Sequence, residues 1–68
     1  MKFEEIQAKA QLLKNEQERL TPYLTLRRMA EILNYSSPAP VQNLLNRMLE
    51  LGLAEEVDWG NQKRYRIL

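Results

Sequence analysis

Thr25-Leu26-Arg27-Arg28-Met29-Ala30-Glu31-Ile32-Leu33-Asn34-Tyr35-Ser36-Ser37-Pro38 holds a helix start, a helix stop and a second helix start in close succession. Leu26, Met29, Ala30 and Leu33 follow the i, i+3, i+4, i+7 spacing of one helical face. Thr25 precedes them as a candidate N-cap, whose hydroxyl can accept from an otherwise unpaired first-turn amide. Asn34 is placed to end the helix, because Asn tolerates the left-handed backbone that a tight interhelical turn requires. Ser37 is then in position to cap a further helix, and Pro38 stands at its first position, where a missing N–H costs nothing. Pro40 still falls within that first turn. Val41, Leu44, Leu45, Met48 and Leu49 continue on one face to about Leu51, and Gly52 suits the residue just past the helix end. Two helices joined by so short a turn form the helix-turn-helix layout.

Outward toward the N-terminus, Phe3, Ile6, Ala10, Leu13 and Leu20 recur at steps of three, four or seven, which predicts one amphipathic helix over residues 3–20. Thr21-Pro22 ends it, since the residue before proline avoids helical backbone. Ile6, Leu13 and Leu20 lie seven apart, with Leu12 adding apolar surface beside them. Either this stripe pairs with its counterpart in a homodimer, giving two recognition helices for a palindromic site, or the small core takes every apolar side chain. Toward the C-terminus the period shifts to two. Leu53, Val57 and Trp59 alternate with Ala54, Glu56 and Asp58, although Glu55 breaks the pattern, and Tyr65 and Ile67 alternate with Arg64 and Arg66. Gly60-Asn61 can supply the positive φ values of a two-residue hairpin turn. The predicted hairpin packs on the third helix and pairs with a short strand at Tyr23 and Leu24, with Trp59 as a lid on its apolar face. The expected fold is mainly α with a small β-sheet, a winged helix-turn-helix of three helices plus a C-terminal β-hairpin wing. Its single domain over residues 1–68 divides into an N-terminal helix (1–21), the helix-turn-helix (25–51) and the wing (53–68).

The composition narrows the chemistry. Among 68 residues there are no Cys and no His, so disulfides, zinc sites, thiol nucleophiles and imidazole bases are all excluded. No Gly-rich phosphate loop is present, and no cofactor is expected; a non-enzymatic protein follows. With 44% apolar and 28% charged residues the chain reads as globular, and no apolar run approaches the roughly 18 residues of a membrane span. The first residues carry scattered charges and no apolar segment of the secretory kind, so a cytoplasmic location is expected. Net charge is only +1, which gives no overall attraction for nucleic acid.

Residues 23–68 resemble the DNA-binding domain of LexA-type repressors. Thr25-Leu26-Arg27-Arg28-Met29-Ala30-Glu31-Ile32-Leu33-Asn34-Tyr35-Ser36-Ser37-Pro38 is similar to that family's run of Thr or Ser, Arg, Ile-Ala, Leu-Gly-aromatic and Ser-Pro. The register continues through Leu45, Met48, Gly52, Leu53 and Glu55, and Arg66-Ile67-Leu68 resembles the family's final strand after a slightly longer wing. The first helix matches in length and amphipathicity only. Asn34 replaces the usual turn Gly, and Ala39-Pro40 and Gln42-Asn43 replace the residues near the bases, so the family's operator sequence does not carry over. The similarity ends at the wing, and no self-cleaving protease domain is expected in residues 1–68. The resemblance implies a double-stranded DNA-binding transcriptional regulator, from a bacterium or its virus, with Ser37, Ala39, Gln42 and Asn43 nearest the bases.

The residues agree with that assignment on the face of the third helix opposite its apolar stripe. There stand Ala39, Gln42, Asn43, Asn46 and Arg47. Gln and Asn can pair bidentately with adenine and Arg with guanine, whereas Asn46 and Arg47, farther along the helix, reach sugar or phosphate as readily. The alternative is a merely solvated polar face. Arg27 and Arg28 open the second helix, where they oppose its macrodipole by about 0.3–1 kcal/mol each, which suggests a nearby phosphate; two solvated arginines are the other explanation. Lys63 and Arg64 follow the wing tip. Together with Arg47 and with Arg66 farther along the wing, these cations are expected to form a basic rim, the acidic residues gathering near the start of the hairpin. The rival reading is a winged helix that meets a protein partner and does not bind DNA, and the near-neutral charge favours it.

Overall fold

The structure, a computed structural model, describes residues 2–20 and 22–68. Helix α1 spans Phe3–Leu20, α2 Leu26–Leu33 and α3 Pro38–Glu50; strands β1 (Ala54–Trp59) and β2 (Gln62–Ile67) form the antiparallel wing. This is the winged helix-turn-helix expected from the sequence. Thr21, where the first helix was expected to stop, lies outside the described residues.

The helix ends are written in local chemistry. Thr25 caps α2, its Oγ1 accepting from the Arg28 N–H at 3.1 Å. Asn34 adopts φ 62°, and the paired bonds Asn34 N–H to Glu31 O (3.2 Å) and Tyr35 N–H to Ala30 O (2.9 Å) close the helix in a Schellman motif. Gly52 does the same for α3 at φ 74°, with Gly52 N–H on Leu49 O and Leu53 N–H on Met48 O. Ser37 occupies the N-cap position of α3 in extended backbone, but its side chain makes no capping bond. Pro40 at the third position removes one of the two N–H groups a capping hydroxyl can accept from, leaving only that of Ala39. In the hairpin turn only Gly60 takes positive φ (63°), so Asn61 does not share the role expected of it and the φ pattern is that of a type II′ turn.

Ile6, Leu13, Leu24, Met29, Val41, Leu44, Leu45 and Met48 are each at most 1% exposed and build one core with Ala10, Ala54, Tyr65 and Ile67. Each fully buried aliphatic side chain of this kind contributes about 1.5–3 kcal/mol. Leu24 joins the sheet by exchanging two 2.8 Å backbone bonds with Tyr65, as expected of the Tyr23–Leu24 segment. The pairs Ala54↔Ile67 and Glu56↔Tyr65 fix which side of the wing faces the helices. That side carries Ala54, Tyr65 and Ile67, so Val57 and Trp59, expected to face the core, stand on the outer side instead. Trp59 is 51% exposed and is no lid on the core.

The α1 stripe also differs at its ends. Phe3 (50%) and Leu20 (47%) are half exposed, and the position between Leu13 and Leu20 is filled by a buried glutamine, Gln17. Its Nε2 donates to Ile67 O at 3.0 Å and its Oε1 accepts from Ile67 N–H at 2.8 Å. The amide thus continues the pairing of β2 two residues beyond Tyr65, standing in for a strand's peptide group. Of the three residues spaced by seven, Ile6 and Leu13 are spent inside the protomer.

Candidate nucleic-acid interface

Helix α3 buries Val41, Leu44, Leu45 and Met48 and turns Ala39, Asn43, Asn46 and Arg47 to the exterior, with Gln42 partly covered. The Gln42 Nε2 donates to Asn46 Oδ1 at 2.9 Å, an i,i+4 bond that orders the two amides along the helix. Ser37 is exposed just before the helix, its hydroxyl left unused by capping. The five outer-face residues therefore run along one side of α3 from its first turn to its last, with Ser37 at its N-cap, as the sequence suggested.

The cations are less open than expected. Arg27, whose side chain is 91% exposed, and Arg28 both contact Glu31, at 3.7 and 3.2 Å. Arg47 meets Glu50 at 2.8 Å, Lys63 meets Glu56 at 3.0 Å and Arg66 meets Glu55 at 2.7 Å. The expected separation of a basic rim from acidic residues near the hairpin start is therefore corrected: carboxylates alternate with the cations. On α2 and α3 the reason is spacing, since residues three or four apart share a helix face; in the wing, Glu55 lies opposite Arg66, and Glu56 lies diagonally across from Lys63. The hydrogen bond and charge of Glu56 hold the Lys63 ammonium above its ordinary pKa. Such exposed pairs contribute little, so they yield readily to a competing anion.

Arg64 is different. Among the described residues no carboxylate pairs with it, its Nε is buried without a hydrogen-bond partner, and its guanidinium lies 5.1 Å from the Trp59 ring centre. Trp59 in turn meets Tyr23 at 5.5 Å between ring centres, tilted by 50°. Register explains the cluster: Trp59 and Arg64 share the outer side of the wing, and Tyr23 adjoins Leu24, whose partner Tyr65 neighbours Arg64. Sequence reading placed Trp59 on the other side and gave Tyr23 no part beyond its strand; only the strand register, invisible in the sequence, brings the three together.

Two grooves gather further candidates. One, about 500 Å³, brings Arg27 of α2 beside Ser37 and Pro38 of α3 over a floor of Leu26, Ala30 and Tyr35. The other, about 350 Å³, brings Arg28 of α2 beside Arg64 of β2, with Leu20, Tyr23 and Thr25. Among the described residues no group of His, Cys, Asp and Glu is arranged to hold a metal ion, and no helix is long and apolar enough to cross a membrane. No known protein family, characterised protein or solved structure matches the chain.

Proposed function

We propose that the protein is a non-enzymatic, cytoplasmic regulator of transcription that binds double-stranded DNA, with α3 in the major groove and the wing against the backbone. The observation that carries this reading is the α3 surface: a helix firmly seated by four buried residues presents Ala39, Gln42, Asn43 and Asn46 outward. Amides on such a face match the donor and acceptor pattern of base edges. The resemblance of residues 23–68 to LexA-type DNA-binding domains supports the same use of these positions. One copy per site is the favoured arrangement. Pairing through α1 would have to use Phe3, Leu12 and Leu20, which at about 100° per residue point to different sides of the helix.

A second reading, a winged helix that docks a protein, is favoured by one specific observation: Arg27, Arg28, Arg47 and Lys63 each already face a carboxylate. Chemical-shift mapping by NMR with a random-sequence duplex at low salt separates the two. DNA binding gives perturbations concentrated at residues 25–28, 37–47 and 60–64, leaving the exposed side of α1 unmoved. Spectra unchanged by the duplex would favour the protein-docking module.

A further inference from the structure

We propose that the groove between the first turn of α2 and strand β2, framed by Arg28 and Arg64, holds a phosphate of the DNA backbone. The attribution to DNA rests on the DNA-binding reading; the preference of the groove for an oxyanion does not.

Three observations converge on an anion. First, Arg64 carries a charge that no carboxylate among the described residues compensates, with a buried Nε lacking any acceptor. A partly buried guanidinium in that condition is costly, and its stacking on Trp59 offsets only part of the cost. Second, Arg28 lines the same groove, and none of the described residues lining that groove is acidic. Two guanidinium groups lining one opening favour an anion there. The Arg28 contact with Glu31, at 3.2 Å between side chains about half exposed, is of the weak, exchangeable kind. Third, the remaining lining suits a phosphodiester: the Thr25 hydroxyl, already accepting from Arg28 N–H, keeps a proton to donate, and Leu20 and Tyr23 supply a surface for sugar carbons. Guanidinium groups are the side chains best matched to phosphate oxygens. Among the candidate cations, this pair brings two separate elements onto one ligand position, which would tie the wing to the helix-turn-helix when DNA is bound.

Trp59 is the only tryptophan in the chain, so its fluorescence reports on Arg64 directly. The full chain is titrated with a random-sequence duplex and, separately, with inorganic phosphate. The expected result is a saturable change in Trp59 emission with the duplex. Arg64→Gln and Arg28→Gln should each weaken duplex binding about tenfold and flatten the salt slope by about one. Arg19→Gln, in a pair at the end of α1, should change neither. Circular dichroism checks folding, and Arg28, being half exposed, keeps the test decisive if Arg64→Gln does not fold. Duplex binding by the wild type that neither variant weakens would overturn the phosphate groove while leaving DNA binding intact. A response to inorganic phosphate that Arg64→Gln abolishes, without any duplex binding, would overturn the DNA source. Silence toward both probes would overturn the groove and the DNA-binding reading together.

Discussion

Gln17 occupies an inward position of α1 that hydrophobic periodicity assigns to an apolar residue. Ile6, Ala10 and Leu13 lead to it at steps of four, three and four, and its burial is no accident of packing: both ends of the amide are spent on the backbone of Ile67. Gln17→Ala leaves a buried N–H and a buried carbonyl at the end of β2 without partners, and is expected to cost about 1–3 kcal/mol, read as a lower urea midpoint. An unchanged midpoint would mean that water replaces the amide at no cost. The periodicity marked the position as inward, but its role depends on a partner fifty residues later in the chain, and no local pattern encodes that. The ion pairs are the contrary case. Arg27 and Arg28 to Glu31, and Arg47 to Glu50, were legible as i,i+3 and i,i+4 spacings, yet counting charges by region concealed that each cation had a carboxylate beside it.

At the scale of elements, caps and turns were the most legible part of the molecule because a single residue's chemistry decides each of them. Thr25, Asn34 and Gly52 all sit where their side chains or their conformational freedom are needed. Asn34 stands at φ 62°, between the two helices whose mutual angle positions α3. Asn34→Gly should therefore leave stability unchanged or raise it slightly, whereas Asn34→Ala should lower it by about 1 kcal/mol, measurable as a shift in melting temperature. Equal effects of the two substitutions would show that the left-handed backbone is not what Asn34 provides. The wing was legible as a hairpin but not in its facing. Alternation named Tyr65 and Ile67 as the inner side of β2, which the structure keeps, but in β1 it named Val57 and Trp59, where the register turns Ala54 inward instead. A one-residue ambiguity in a short strand reverses both sides, and here Glu55 disturbed the only pattern available to settle it. That placement is what sets Trp59 beside Arg64 on the outer side of the wing.

For the whole molecule, the radius of gyration of 10.9 Å is the value of a compact chain of this length, about 11 Å, so the long first helix is folded into the body. With Ile6 and Leu13 consumed there, one copy is complete in its core. The net charge of +1 also takes on a different meaning. On the helix-turn-helix and the wing it sums cations mostly set beside carboxylates, with Arg64 the exception there, so attraction to DNA is expected to be modest and local rather than spread over the surface. Fluorescence anisotropy of a labelled random-sequence duplex across a salt series measures this most directly. DNA binding predicts an affinity whose logarithm falls linearly with the logarithm of salt concentration, with a slope of about −2 or steeper, since each neutralised phosphate adds about −0.9. An absence of binding at the lowest salt, or an affinity indifferent to salt, would contradict it.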